Sequence, residues 1–535
     1  MKKNITLSLD KHVFFISISL IVLLVIFLFA FPEGTTEIMV SAKNFMVNNL
    51  GFVYTWSGIL SVVAVCFFSF SHYGKIKLGD ADDKPEYSNL TWASTLFTAG
   101  IAAAILYWSP IEWTYYYETP ALGIEPLTWE AAEWSQAFTF FHWGIIPWSL
   151  YAIGAIPIAY CYYVRKKPVL KVSETCRDLL GKHTDGPIGK LFDICFIIAM
   201  VMGATTEIGT AVPYISTAIC TLLGIEVHTS TMILVLFATT VLFSVAAFFG
   251  LKKGICKLGD TTAFACIGIL LFVFIFGPTI FIIKISTTSM GIFTQNFIRM
   301  MTWMDPIMNG GFEETWTQFY WAWWMSASLF MAMFIARLSR GRTVRNVLLG
   351  SVCYGSLGCG LFFWIFGGFT MNLQFSGEYD LISAIKNIGS NAAIMEALKH
   401  LPLGNIVILI CAFCGIMLLA TTYDASTTSI AAISQLRLKQ GEDPNRLLTL
   451  FWSCLMVLVP AGIIVANGPF AALQAATIVG SFPVPFILIV EMLTFVKMVK
   501  ADSNRCTVAT EIKITRIDTN KSNNDETDIQ KSKVC

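Results

Sequence analysis

The stretch TWTQFYWAWWMSASLFMAMFIARLSRGRTVR, residues 315–345, decides the architecture of the chain. From Trp316 to Leu338 it is predominantly apolar, long enough for the roughly 20 residues of helix that a bilayer core demands. Arg337, Arg340, Arg342 and Arg345 then crowd its end. Lys and Arg collect on the cytoplasmic side of a membrane, so the segment reads as one spanning helix with a fixed direction. Runs of the same kind recur outward from it, at 12–31, 51–72, 91–111, 138–163, 189–217, 229–250, 258–284, 316–338, 345–372, 403–433, 447–467 and 470–499. Composition agrees: the 535 residues are 55% hydrophobic and only 13% charged, against roughly 25% charged in a soluble domain. The expected fold class is an all-α integral membrane protein with 12 transmembrane helices.

An even number of spans puts both termini on one side. Lys43, Lys284, Arg299, Lys386 and Lys399 then fall opposite them, and all the others of the 36 Lys and Arg fall on the terminal side. That asymmetry predicts cytoplasmic termini and a multi-pass place in the cell inner membrane, with the lipid bilayer as partner. The N-terminal apolar run from Val13 to Phe31 is too long for a cleaved signal and lacks a small-residue cleavage site. Residues 290–304 read as an amphipathic interfacial helix, 379–400 as a short external helix, and 501–535 as a disordered polar tail. Net charge +1 speaks against a nucleic-acid partner. Cys411 and Cys414 form a CxxC, but no second ligand pair follows, so no metal site is expected beyond a bound sodium ion. The sequence shows no nucleophile–base pair and no Gly-rich phosphate loop, so no enzyme is expected and no catalytic residue is assigned.

Four clusters carry chemistry. On a helix, Trp316, Tyr320, Trp323 and Trp324 stand at i, i+4, i+7 and i+8 and share a face. Interface anchoring accounts for Trp316; Trp323 and Trp324 lie more than a turn deeper. Their other use is an aromatic cage for a quaternary ammonium, whose N–H-free head is held by π faces. Trp143, in FHWGIIPWSLY (141–151), would complete the cage. In TAGIAAAILYWSPIEW (98–113), the small residues around Gly100 serve either close helix packing or a local unwinding that exposes backbone groups. In MGATTEIGT (202–210), Glu207 lies within the bilayer, with Thr206 and Thr210 one turn apart beside it. It is either a coupling-ion or proton site, or an acid hydrogen-bonded to a neighbouring helix. In LLATTYDASTTS (418–429), Thr421, Thr422, Asp424 and Ser426 concentrate oxygen donors of the kind sodium prefers; interhelical hydrogen bonding is the alternative use.

TWTQFYWAWW (315–324) with FIARLSRGRTVR (334–345) strongly resembles the signature of the betaine/carnitine/choline transporters. LYWSPIEWTYYYETPALGIEP (106–126), FHWGIIPWSLYAI (141–153), YVRKKPVLK (163–171) and MDPIMNGGF (304–312) resemble that family too, its carnitine branch above all. The resemblance covers roughly residues 10–500 and implies two inverted five-helix repeats of the LeuT type, spans 3–7 (91–284) and spans 8–12 (312–500). Residues 1–90 would add two peripheral helices, and 285–311 a connector. It implies homotrimers as well. Carried over position by position, it makes Trp323, Trp324 and Trp143 cage aromatics and Tyr115 a binding tyrosine. Trp316 becomes an outer, transient-binding tryptophan, and Met331 a neighbour of the substrate carboxylate. Thr421 and Thr422 match the hydroxyl pair of a sodium site, and Thr98 and Ile101 its carbonyl donors.

Two positions depart from the family pattern. Ala327 stands where another aromatic is usual, and Thr262 stands where sodium-independent exchangers carry arginine. The function implied is secondary active transport of a quaternary (trimethyl) ammonium solute such as carnitine, γ-butyrobetaine, glycine betaine or choline. It would be coupled to Na+ or H+ or run as exchange, with no other cofactor. The rival readings are a transporter of another small zwitterion such as an amino acid, and a substrate sensor on a transporter fold.

Overall fold

A computed structural model describes residues 9–504, apart from 101–102, 168–170, 250–251 and 437–443. The side chains of 97–100, 243, 245–249 and 252–260 also lie outside the description. The chain is built of helices. The first are α1 (Lys11–Ala30), α2 (Pro32–Leu50), α3 (Phe52–Phe70), α4 (Asn89–Gly100), α5 (Ile105–Glu118), α6 (Trp129–Trp143) and α7 (Ile145–Ala159). Two single turns, α8 (Val172–Thr175) and α9 (Arg177–Leu180), lead to α10 (Pro187–Leu223), α11 (Thr229–Phe249), α12 (Lys252–Phe276) and α13 (Thr279–Thr302). A π-helical turn, Glu313–Thr317, opens α14 (Gln318–Leu338). It is followed by α15 (Val344–Phe362), α16 (Gly368–Ser376), α17 (Leu381–Ile388), α18 (Ser390–Lys399) and α19 (Gly404–Ile433). The last are α20 (Arg446–Met456), α21 (Leu458–Val465) and α22 (Phe470–Ser481), which continues as 484–504.

Among the described residues, nine helical stretches are long and apolar enough to cross a membrane. The other three expected spans are described differently. Of span 3, α4 is described up to Gly100 and α5 from Ile105, with a turn at 103–104 and residues 101–102 outside the description. Span 6 is helical as α11, Thr229–Phe249, with an apolar stretch Thr229–Leu242 among its described residues. Span 7 does not run to residue 284 as expected. Gly277-Pro278 ends it at Phe276, and α13 leaves at 107° to it. A proline removes a backbone donor and its ring obstructs the preceding turn, so the helix stops there. The interfacial helix expected at 290–304 is therefore longer and begins at Thr279.

The external helix expected at 379–400 is broken at Gly389, whose φ of +84° suits glycine. The helix α2 was not expected; it starts at Pro32, where the ring's fixed φ suits a first helical turn. Residues 501–504, placed in the tail by their composition, complete the last helix, where Asp502 meets Arg165 at 2.8 Å.

The outer helices keep apolar faces exposed, as on α1 (Phe15, Leu20, Leu23) and α3 (Phe52, Leu60, Phe67), the pattern of a lipid-facing surface. Inside, α14 packs along α7, α10 and α22, and α10 packs against α19. Two glycines make these crossings close. A Cβ at Gly355 would lie 1.9 Å from Trp148 Cδ2, where α15 crosses α7. A Cβ at Gly203 would lie 1.9 Å from Ser326 Oγ, where α10 crosses α14. The described chain ends share one face of the molecule. Lys171 bridges to Asp10 at 2.8 Å, Arg165 bridges to Asp502, and Tyr163 donates to the Arg337 carbonyl at 2.7 Å.

Candidate functional site

At the meeting of α6, α7, α10, α14 and α19 lies a narrow cavity. Its walls include Trp143, Trp323, Trp324, Met331, Glu207 and Thr422, drawn from clusters far apart in sequence. The rings meet at right angles: Trp143 lies 5.8 Å from Trp323 and 5.4 Å from Trp324, each at 84°. Perpendicular indoles offer π faces in two directions, the geometry that suits a spherical cation with no N–H to donate.

These rings are fixed from behind. Glu112, buried on α5, accepts from Trp143 Nε1 at 2.9 Å, Tyr320 Oη at 2.5 Å and Tyr116 Oη at 2.8 Å. Trp324 Nε1 donates to the His142 carbonyl at 3.0 Å. His142 is itself held between Tyr116 (2.9 Å) and Thr317 (3.0 Å), so it serves the scaffold. The sequence analysis did not single out Glu112. Its only signal was an acid inside an apolar span, in SPIEW.

The side left small by Ala327 is not bare. Ala327 lines the cavity, and the rings of Tyr151 and Phe330 line it too, with Tyr151 5.0 Å from Trp324. Both rings escaped the sequence analysis, because Tyr151 comes from another span and Phe330 lies three residues past Ala327, just under one turn along the helix. Phe330 also lines a second cavity of about 440 Å3 with Arg337, Asp424 and Ser429, on the face that carries the chain ends. In the opposite direction the site is roofed by packed rings, Trp108, Trp316 and Tyr320 among them, with Trp108 6.0 Å from Trp316.

Not every candidate residue reaches the cavity. Trp316 and Tyr115 stand together in the roof, 5.3 Å apart, and Tyr115 Oη meets Ser390 Oγ of α18 at 3.0 Å. Thr206 and Thr210 use their hydroxyls in packing. Thr206 bonds the Leu473 carbonyl (2.8 Å) and Thr477 (2.6 Å) of α22, and Thr210 returns to the Thr206 carbonyl (2.9 Å). Glu207 divides its two oxygens. Oε1 accepts from Ala104 N at 3.1 Å, just before α5, while Oε2 has no hydrogen-bond donor among the described residues.

On α19, Thr421 donates to the Leu418 carbonyl at 3.0 Å, and Thr422 and Ser426 line the cavity. Helix α19 also packs against α4. The side chain of Thr98, and all of Ile101, lie outside the described residues. Thr262 is buried on α12, away from the cavity lining. Among the described residues no group of three or more His, Cys, Asp or Glu could hold a metal ion.

Residues 12–504 match the family model described as BCCT, betaine/carnitine/choline family transporter. The chain belongs to that family. It is a multi-pass membrane transporter, not an enzyme. The transporter is 33% identical over 448 residues to a carnitine transporter of Acinetobacter baumannii, covering 83% of this chain and 80% of that one. It is 32% identical over 505 residues to a probable glycine betaine transporter of Desulfitobacterium hafniense, covering 93% and 99%. An uncharacterised transporter of Escherichia coli, YeaV, is 32% identical over 446 residues, covering 83% and 92%. A solved sodium-coupled sialic acid symporter aligns over 83% of this chain and 86% of its own at 14% identity, with a TM-score of 0.44.

Proposed function

We propose that this transporter carries a trimethylammonium solute across the cell inner membrane, with both termini cytoplasmic. Carnitine, γ-butyrobetaine and glycine betaine lead the candidates, followed by choline. The observation that carries the reading is the right-angled meeting of Trp143 with Trp323 and Trp324 on a cavity whose wall also holds Glu207. The rings take the cationic head at about 1–2 kcal/mol each once water is excluded. Met331 and the backbone near Gly100 receive the polar end.

Transport proceeds by alternating access. One five-helix unit (91–284) rocks against the other (312–500) around the site. The packed rings about Trp316 close one side, and Phe330 stands between the site and the second cavity. Na+ at Thr421 and Thr422, or H+ at Glu207, supplies the coupling, and family resemblance points to a homotrimer. The test is uptake of radiolabelled carnitine, glycine betaine and choline into proteoliposomes, with and without an inward sodium gradient at fixed pH. Saturable uptake of at least one, competed by the others and not by primary amines, supports the reading. Uptake competed by primary amines alone overturns it.

A further inference from the structure

Among the described residues that line the cavity, Glu207 is the one carboxyl, and no Lys, Arg or His faces it. The group is 5% exposed; Oε1 accepts from Ala104 N, the Ala103 N–H also points at the carboxyl, and Oε2 has no well-aligned hydrogen-bond donor among the described residues. A quaternary ammonium has no proton to donate, so its head cannot satisfy Oε2 by a hydrogen bond. A hydroxyl can donate to it, but its charge is matched only by an opposite charge or cancelled by a proton on the oxygen.

The groups around Glu207 do not alter this balance. From α7 the titratable neighbour is Tyr151; α14 and α19 contribute the hydroxyls of Ser326, Thr422 and Ser426. Glu112 of α5 stands behind Trp143 and spends both oxygens on ring donors. Arg337 and Asp424 lie beyond Phe330, in the second cavity.

A carboxylate sealed among rings in a membrane interior is costly unless its charge is matched. We infer that Glu207 fixes the net charge of the cargo at +1. A choline-type cation, whose tail is uncharged, enters against the ionised carboxylate. A betaine, whose own carboxylate cancels its head, enters with one proton on Glu207 Oε2. That proton comes from the solution on the entry side and is given up on the release side. No bond within the substrate is made or broken. The inference rests on the quaternary-ammonium reading above and deepens it.

The experiment uses the purified full-length transporter. Quenching of tryptophan fluorescence by choline and by glycine betaine establishes binding. Proteoliposomes holding a pH-sensitive dye, clamped at set potentials in constant sodium, then report protons and charge per substrate. The expected result is one charge per turnover for both solutes, with internal acidification accompanying glycine betaine only. In Glu207→Gln, betaine entry ceases to carry protons, and the preference for choline over betaine falls by about tenfold or more.

The inference is overturned if wild-type betaine entry carries no protons, if it carries sodium in their place, or if proton entry persists in Glu207→Gln. The wild-type measurement stands whether or not the variant folds. If neither solute quenches fluorescence, the quaternary-ammonium reading itself fails, and the inference falls with it.

Discussion

Trp143 donates its indole N–H to Glu112 Oε2, the same oxygen that Tyr320 reaches from α14. One acid on α5 thus sets the angle between a ring of α6 and a ring of α14. In Glu112→Gln the amide N–H faces the Tyr116 hydroxyl, which must turn its own proton to His142 to accept it, and the bonds to the rings lose any charge assistance, at about 1–3 kcal/mol. Substrate affinity should fall by about tenfold or more, read by fluorescence titration. Tyr320→Phe removes one donor and leaves the acid, so its loss should be smaller. Equal affinities in wild type and Glu112→Gln would mean the cage does not need this anchor.

Trp323 is one face of the proposed cage, and among the described residues its indole N–H makes no hydrogen bond. Trp323→Leu should raise the half-saturation concentration for uptake by roughly tenfold, the equivalent of about 1–2 kcal/mol of cation–π contact. Trp316→Leu, a change in the roof, should alter the rate of entry more than the affinity. Initial rates over a substrate series separate the two effects.

Phe330 faces both cavities. In Phe330→Ala the ring between them is gone. The variant should leak substrate down its gradient when the coupling ion is absent on both sides, a flux the parent lacks. Efflux from preloaded vesicles measures it. Tight vesicles would show that the division between the cavities lies elsewhere.

At the membrane edge, Lys171 pairs with Asp10 at 2.8 Å and lies 3.5 Å from Asp193. Burial raises the Asp10 pKa, but its hydrogen bond with Lys171 and the lysine's charge outweigh that, so the group ends below the usual aspartate value. A carboxyl with a depressed folded pKa stabilises the fold above its unfolded value, and loses that contribution as pH falls through the folded one. Asp10→Asn should therefore lower the thermal midpoint at neutral pH, at a cost of about 1–3 kcal/mol, since Lys171 keeps Asp193 as a partner. Below about pH 4 the difference from the parent should shrink. A constant difference across that range would point to a packing effect.

Nine of the twelve spans were legible because a bilayer demands a minimum length of apolar helix, which the sequence shows directly. Breaks were harder to see. Gly277-Pro278 lay inside an apolar run whose hydropathy did not dip, so the turn into α13 was placed too late. The shared face of Trp323 and Trp324 was readable from their spacing on one helix, and the structure brings Trp143 of another helix against both. Glu112, Tyr151 and Phe330 were not, since each acquires its role only where another helix crosses. The hydroxyls of Thr206 and Thr210 looked equivalent to that of Thr422 by spacing. Which of them faces α22 and which faces open space is a matter of helix rotation, and helical period alone does not set rotation against neighbours.

At Gly203 the missing side chain sets the distance between two helices. An added methyl group would fall 2.7 Å from Ser326 Cβ, so α10 and α14 would have to part. Such a parting would enlarge the chamber while every indole kept its identity. The menu of accepted cargo is thereby tied to a position without chemistry of its own, where a lineage can change its diet without rewriting its recognition code.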